Sequence, residues 1–562
     1  MAVLDWIVVA IFALALIGII LWVMKQKQNN ADDYFLGGKD ATWIAIGASI
    51  FASNIGSEHL IGLAGSGASS GMAMAHWEIQ GWMILLLGWV FVPFYSRSMV
   101  ITMPEFLEKR YNPASRTILS VISLISYVLT KVAVTVYAGG LVFQQVFGIE
   151  SIWGIDFFWI AAVGLVIITA LYTIFGGMKS VLYTSVLQTP ILLLGSLIIL
   201  VLGLKELGGW EEMMRICSEV KVNEAGDSMV NLIRDNNDPQ YPWLGALIGS
   251  AVIGFWYWCT DQFIVQRVLS GRDEKQARRG TIFGAYLKLL PVFLFLIPGM
   301  IAFALHQKLG SFLPLTPEGL PNSDAAFPTL VAKLLPAGVK GLIVCGILAA
   351  LMSSLASLFN SSAALFTIDF YQRFKPKTDP KKLVKIGQAA TVVIVILGIL
   401  WIPVMRSVGD VLYLYLQDVQ SVLAPGIAAA FLLGVTWKRA TAKGGMWGLI
   451  AGLAIGITRL TAKVIYSNSA VTPEADHSWF QWLFFDTNWL FFCGWMLVFC
   501  LAVIFVVSMF TPAPDEEKIK GLVFGTSTPE QRAVTRASWN HWDVIHSIII
   551  LGITAAFYWY FW

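Results

Sequence analysis

The chain has 562 residues, of which 57% are hydrophobic and 13% charged, and its 38 Lys and Arg against 35 Asp and Glu leave a net charge of +3. Soluble domains carry about 25% charged residues, so this composition excludes a water-soluble enzyme of such size. No polar tract or basic surplus supports a disordered or nucleic-acid-binding chain either. An integral membrane protein remains, and since one crossing takes roughly 20 apolar residues, a dozen or more crossings are expected.

Fourteen apolar runs bounded by charge, Gly or Pro follow one another, at about 5–24, 41–71, 78–95, 117–143, 155–174, 181–204, 243–265, 281–304, 337–366, 387–405, 410–434, 444–466, 484–510 and 542–562. The first has no basic segment before it, begins with Asp5, and is followed by Lys25 and Lys27. This predicts a retained helix with an outside N-terminus rather than a signal peptide. Alternate connections then hold 26 Lys and Arg on the inside and 10 on the outside, with Lys131 and Lys288 inside runs. By the positive-inside rule both termini lie outside a plasma or inner membrane, and the long polar connections 205–242 and 305–336 are external lids. The last run reaches Trp562 with no nucleotide-binding or effector domain appended, so the expected energy source is an ion gradient or the solute's own gradient. The five cysteines Cys217, Cys259, Cys345, Cys493 and Cys500 suggest no disulfide framework.

The second run, FASNIGSEHLIGLAGSGASSG from Phe51 to Gly71, puts Asn54, Gly56, Ser57, Glu58 and His59 at mid-membrane. Gly, Ser and Asn lower helix propensity, and a Glu-His pair at that depth is costly enough to point to function. The expectation is a broken helix whose freed carbonyls can coordinate an ion, against the plainer reading of a small-residue packing face. Lys131, in VLTKVAV, reads as a snorkelling or structurally paired residue. The segment FWYWCTDQ at 255–262 sets aromatic faces beside polar groups, as suits a sugar ring, although an interfacial aromatic belt has the same look. Lys288, in YLKLLPVF, is the most expensive residue of any run and needs a partner such as Glu58 or Glu78. Ser353 and Ser354 offer adjacent hydroxyls for a hard cation, and Asn360-Ser361-Ser362 is discarded as a glycosylation site because it lies in a span. Gln417 and Gln420 add amides in a further run. There is no Walker-type loop, CxxC, HExxH or GxSxG, so an enzyme is not expected.

Eight segments in order resemble the sodium/solute symporter family and its sodium/glucose cotransporter branch: DYFLGGK at 33–39, SNIGSEHLIGLAGSG at 53–67, TMPEFLEKRY at 102–111, GGMKSVLYTSVLQT at 176–189, WYWCTDQFIVQRVLS at 256–270, YLKLLPVF at 286–293, LMSSLASLFNS at 351–361 and APGIAAAFLLGVTWKR at 424–439. The resemblance implies an all-α membrane protein of about 14 helices with a leucine-transporter-type core. Its two inverted repeats of five would span 41–204 and 243–434, flanked by 1–40, the external loop 205–242 and three C-terminal helices in 435–562. It implies Na+ held by Ala52, Ile55, Ala350, Ser353 and Ser354. Solute contacts fall on Asn54, His59, Glu78, Tyr257, Trp258, Lys288 and Gln417. Tyr257 would be the inner gate, and Leu63, Trp77 and Tyr413 the outer gate.

Two departures sharpen the expectation. Ser185 and Ala356 stand where members with a second sodium site resemble one another in carrying Asp and often Thr, which implies one Na+ per solute. Glu58 and His59 resemble the myo-inositol carriers as much as the glucose carriers, and Gly254 lacks a side chain that some glucose carriers have. The expected activity is Na+-coupled uptake of a neutral monosaccharide such as glucose or galactose by alternating access, with myo-inositol or another polyol as the alternative and a transport-deficient sensor or channel as the remote one. Na+ is the coupling ion, with no organic cofactor, nucleic acid or obligate protein partner expected.

Overall fold

The computed structural model describes residues 2–562 apart from Lys27, Ser57, 317–318, 409–411 and 468–476, and it describes the side chains of those residues except Leu129, Gln145, 404–416, Asp418 and Ser467. The molecule is almost entirely helical; one two-stranded ribbon, Ser151–Ile152 with Ile155–Asp156, joins two helices outside the core. Each of the fourteen apolar runs falls on helix, and 12 helical segments among the described residues are long and apolar enough to cross a membrane. The numbers differ because backbone continuity does not follow the runs. The helix Phe157–Leu207 has 51 residues, about 76 Å at the usual rise, too long for one crossing. Its backbone leaves helical geometry at Gly177, with φ 53° and ψ −148°. A Cβ there would lie 2.4 Å from Tyr34 O, so only glycine permits this break, which falls between the runs 155–174 and 181–204.

The N-terminal helix Val3–Met24 shows most of its apolar surface outward, with Val3, Leu14 and Leu21 exposed, as expected of a lipid-facing element. One polar tie fixes its start: the Asp5 carboxylate accepts the backbone N–H groups of Gly338 and Gly341 at 2.7 and 2.8 Å. Those donors are orphans of the N-terminus of the helix Val339–Ala364, which satisfies the buried Asp5 and pins the two helices together.

Two helices are interrupted deep in the molecule. The helix Trp43–Asn54 stops at Ile55, whose φ −79° and ψ 103° are extended. The chain resumes as a π-helical turn, Glu58–Leu63, and the helix Ala64–Ser70. Far along the chain, Trp243–Gly254 passes through a π-helical stretch, Phe255–Thr260, to an extended Asp261 (φ −76°, ψ 127°) before Gln262–Leu269 begins. The first break was legible from its glycine and serine content. The second, in an aromatic run, was not.

Backbone-close packing holds the outer half of the first broken helix. A Cβ on Gly67 would meet Leu296 O at 2.1 Å, and one on Gly299 would meet Ala64 O at 1.9 Å. Small residues thus let Ala64–Ser70 lie directly on Ile297–Leu309. On the other flank, Trp43–Asn54 packs between Glu274–Lys288, Phe157–Leu207 and Val339–Ala364.

Candidate functional site

The two breaks and the helix Glu274–Lys288 enclose a buried cavity of about 50 Å³. Asn54 ends the first broken helix, Glu58 and His59 begin its continuation, Glu78 ends the short helix Ala75–Glu78, Tyr257 and Trp258 lie in the second interrupted helix, and Lys288 ends its own helix. Gln417 and Gln420 come from the helix Leu412–Thr436 and also line the cavity.

Lys288 organises the polar wall. Its ammonium donates to Glu78 Oε2 at 2.6 Å and to Asn54 Oδ1 at 3.1 Å, and lies 5.3 Å from the Trp258 ring centroid. Asn54 passes the contact on, its amide donating to Tyr257 Oη at 3.2 Å. His59 Nε2 is 3.3 Å from the same Glu78 oxygen. Of the two carboxylates open to Lys288 from sequence, Glu78 takes it. The Gln417 Oε1 atom is buried without a hydrogen-bond partner among the described residues, an acceptor left for a ligand. Trp258 donates to Gln80 Oε1 at 3.2 Å, and Gln80 donates to Ser250 O at 2.8 Å. Gln80 is a lining residue that sequence reading missed, because one amide in an apolar run carries no signal of direction.

The roof and floor are aromatic. Trp77 stacks on Trp489, with centroids 5.5 Å apart and planes at 22°, and Leu63 is fully buried nearby in sequence to His59. The Tyr413 side chain lies outside the described residues. Below, the Tyr257 ring sits 4.8 Å from Lys131 Nζ, which also faces Tyr127, Trp256 and Phe263. Lys131 donates to Asp261 Oδ2 at 2.7 Å, and Tyr127 donates its hydroxyl to Asp261 Oδ1. Lys131 is therefore paired within the protein rather than snorkelling, and Asp261, which the sequence did not single out, is its partner.

A second polar cluster lies behind the first break. Ser354 Oγ is 2.9 Å from Ser53 O and 3.4 Å from Ile55 O. Ser353 Oγ is 3.2 Å from Ser185 Oγ, which in turn is 3.4 Å from Ser49 Oγ, and Ser53 Oγ is 2.7 Å from Ser357 Oγ. Ala52, Ala350 and Ala356 are buried there. Oxygen dipoles without a formal charge suit a hard monovalent cation. Around Ser185 the side-chain neighbours are the hydroxyls of Ser49 and Ser353.

Comparison with known proteins places this arrangement in context. The model of the sodium:solute symporter family matches residues 34–452. The chain is 37% identical over 548 residues to the sodium/myo-inositol cotransporter 2 of Homo sapiens, covering 93% of this chain and 79% of that one. It is 36% identical over 537 residues to the sodium/glucose cotransporter 1 of Oryctolagus cuniculus, covering 91% and 80%. The solved structure of a Na+-coupled sialic acid symporter in a substrate-bound outward-open state superposes with a TM-score of 0.72 at 22% identity, over 92% of this chain and 99% of that one. That likeness establishes the fold.

Proposed function

This chain belongs to the sodium:solute symporter family and is a multi-pass, Na+-coupled symporter of the sugar and myo-inositol type, and from that premise we propose how it holds and moves its two substrates. One Na+ binds among the carbonyls of Ala52, Ile55 and Ala350 and the hydroxyls of Ser353 and Ser354. One neutral solute, a hexose or a cyclitol, binds through Asn54, His59, Glu78, Lys288 and Gln417 against the faces of Tyr257 and Trp258. The observation that carries this reading is the Lys288–Glu78–Asn54 cluster: ion-paired donors and acceptors buried beside two aromatic rings, the chemistry that grips a polyhydroxylated ring and offers an anion no unpaired cation.

The helix breaks at Ile55 and Asp261 open the segments 41–204 and 243–434, which supports reading them as two inverted repeats flanked by 1–40, 205–242 and 435–562. In the cycle, Na+ fixes the carbonyls at the first break and so orders Asn54, one residue away, for the solute. Trp77, Leu63 and Tyr413 close over it from an outside that holds both termini. Separation of Tyr257 from Asn54 then opens the floor, and loss of Na+ inside lowers the affinity for solute. Because coupling is reciprocal, solute tightens Na+ by the same factor. One charge moved per solute is worth about 2.3 kcal/mol per 100 mV, and a tenfold Na+ gradient adds about 1.4 kcal/mol. Together these sustain a solute gradient of about 500-fold.

Uptake into proteoliposomes across a panel of hexoses and inositols tests the assignment. Concentrative, Na+-dependent uptake of at least one of them is expected, with one charge per solute, and Ser354→Ala raises the Na+ concentration for half-maximal uptake about tenfold, the effect of 1.4 kcal/mol. Uptake indifferent to Na+, or an unchanged Na+ dependence in Ser354→Ala, would refute it.

A further inference from the structure

The chamber holds a second carboxylate whose role the pairing of Lys288 leaves open. Glu58 starts the π-helical turn at the break and lines the cavity, yet among the described residues no hydrogen bond or ion pair engages it. His59 is the group whose charge acts on it most, followed by Lys131 and Lys288; His59 Nε2 lies 3.3 Å from Glu78, and each lysine already has its own carboxylate, Asp261 at 2.7 Å and Glu78 at 2.6 Å. The buried Arg267 is the other cation of this region, and its Nε donates to Ser53 Oγ at 2.9 Å, on the far side of the break. A carboxylate has acceptor sites only, and Glu58 is half-buried where it lines the chamber. Its donors therefore come from whatever occupies that chamber, water or solute.

Its position adds a second point. The Glu58 carboxyl carbon is 3.8 Å from where a Cβ on Gly56 would stand, and the same place is 3.1 Å from Ser354 Oγ. Gly56 thus lies between the carboxylate and the hydroxyl and carbonyl cluster behind the break. Opposite charges at this separation attract, so a charged Glu58 would favour a cation in that cluster.

We propose that Glu58 is a specificity-determining solute ligand, its two oxygens accepting hydrogen bonds from hydroxyls on adjacent ring carbons, so that the carrier selects polyols presenting a vicinal diol toward the break. This rests on the reading that the solute is a neutral polyol bound in this chamber. The Glu78 carboxylate has its Oε2 engaged by Lys288 at 2.6 Å with His59 Nε2 at 3.3 Å, whereas both oxygens of Glu58 are open to the solute, and Glu58, like Asn54, lies between the chamber and the cluster behind the break.

Na+-driven uptake of hexoses, myo-inositol and each monodeoxy analogue is compared in proteoliposomes of the wild-type chain, Glu58→Ala and Glu58→Gln. In the wild type, removing either of two adjacent hydroxyls lowers Vmax/KM by roughly 10- to 100-fold, the range for hydrogen bonds to a charged group. In Glu58→Ala the penalty at those two positions collapses to near one while penalties elsewhere stay, and Na+ half-saturation rises. Glu58→Gln, with one acceptor and no charge, falls between. If neither variant transports, the same ratios are read from solute-induced changes in tryptophan fluorescence of the purified proteins, with Trp77 and Trp258 in the wall. Deoxy penalties that are unchanged at every position in both variants overturn the role of Glu58 and leave the symporter reading standing. A wild-type protein that accumulates no hexose or inositol overturns that reading and this one with it.

Discussion

Replacing Lys288 with Met keeps most of the side-chain volume and removes one member of a buried ion pair. The two side chains are 5% and 3% exposed, with Lys288 Nζ 2.6 Å from Glu78 Oε2, so Lys288→Met leaves a carboxylate at membrane depth with His59 Nε2, at 3.3 Å, as its remaining partner. Removing one partner of a buried pair costs about 3–5 kcal/mol. The His59 contact places this case at the lower end, about 3 kcal/mol. Glu78→Gln strands the ammonium instead, with Asn54 Oδ1 at 3.1 Å still accepting from it, and a similar loss is expected. The double variant removes both charges and recovers most of the stability, since coupled neighbours depart from additivity by up to about 3 kcal/mol. Thermal midpoints of the purified protein, followed by tryptophan fluorescence, give the ranking of wild type, double and two singles. Uptake separates structure from function: both singles and the double lose solute transport, because the solute's partners are gone even where the fold is restored. Additive losses of stability in the double variant, or a double variant that transports like wild type, would refute the argument.

Other expectations follow from packing and from the external loops. Gly299→Ala drives a methyl into Ala64 O, 1.9 Å away, and overpacking of this kind costs about 1–3 kcal/mol. Gly164→Ala, where nothing lies within 4 Å, is the control and leaves the thermal midpoint unchanged or slightly raised; equal effects of the two substitutions would contradict the close contact. Asp324, in the connection between Leu309 and Val339, is pushed by burial from 3.8 up to about 6. A raised value in the fold means that its contribution to stability is complete below pH 3.8 and is lost as pH rises through about 6. The thermal midpoint of wild type relative to Asp324→Asn therefore falls between about pH 4 and pH 7, and a flat difference across that window would show that the carboxyl is not buried as described.

How much of this could be read from the residues depends on what kind of signal each one leaves. The spans were legible because apolar runs of sufficient length have no other use, and the first break because Asn54, Gly56 and Glu58 oppose a helix in lipid. Lys288 announced the need for a partner, but only the fold could choose Glu78 over Glu58, since that choice depends on how the helix ending at Glu78 is turned. Lys131 shows the reverse failure: a lysine in an apolar run has a bland reading, and its pairing with Asp261 needs two segments 130 residues apart to meet. Gln80 left no trace, because an amide says nothing of direction, whereas the break at Gly177 falls in the gap between the runs 155–174 and 181–204.

The contacts at Gly67 and Gly299 carry a mechanical consequence. Where two helices touch backbone to backbone, no side chains stand between them to reorient, so neither can shift along the other without steric collision. The outer half of the broken helix, with Glu58 and His59 just before it, and the helix that follows Lys288 are therefore one rigid body. Under the proposed cycle, movement that opens the chamber would fall at the boundary between that body and the helices of Ser185, Ser353 and Ser354. The hydroxyl cluster lies beside that boundary, with Ser354 reaching Ser53 O and Ile55 O at the break. If the proposed ion lodges there, it ties the break to the helix of Ser353 and Ser354, and its departure would loosen that tie.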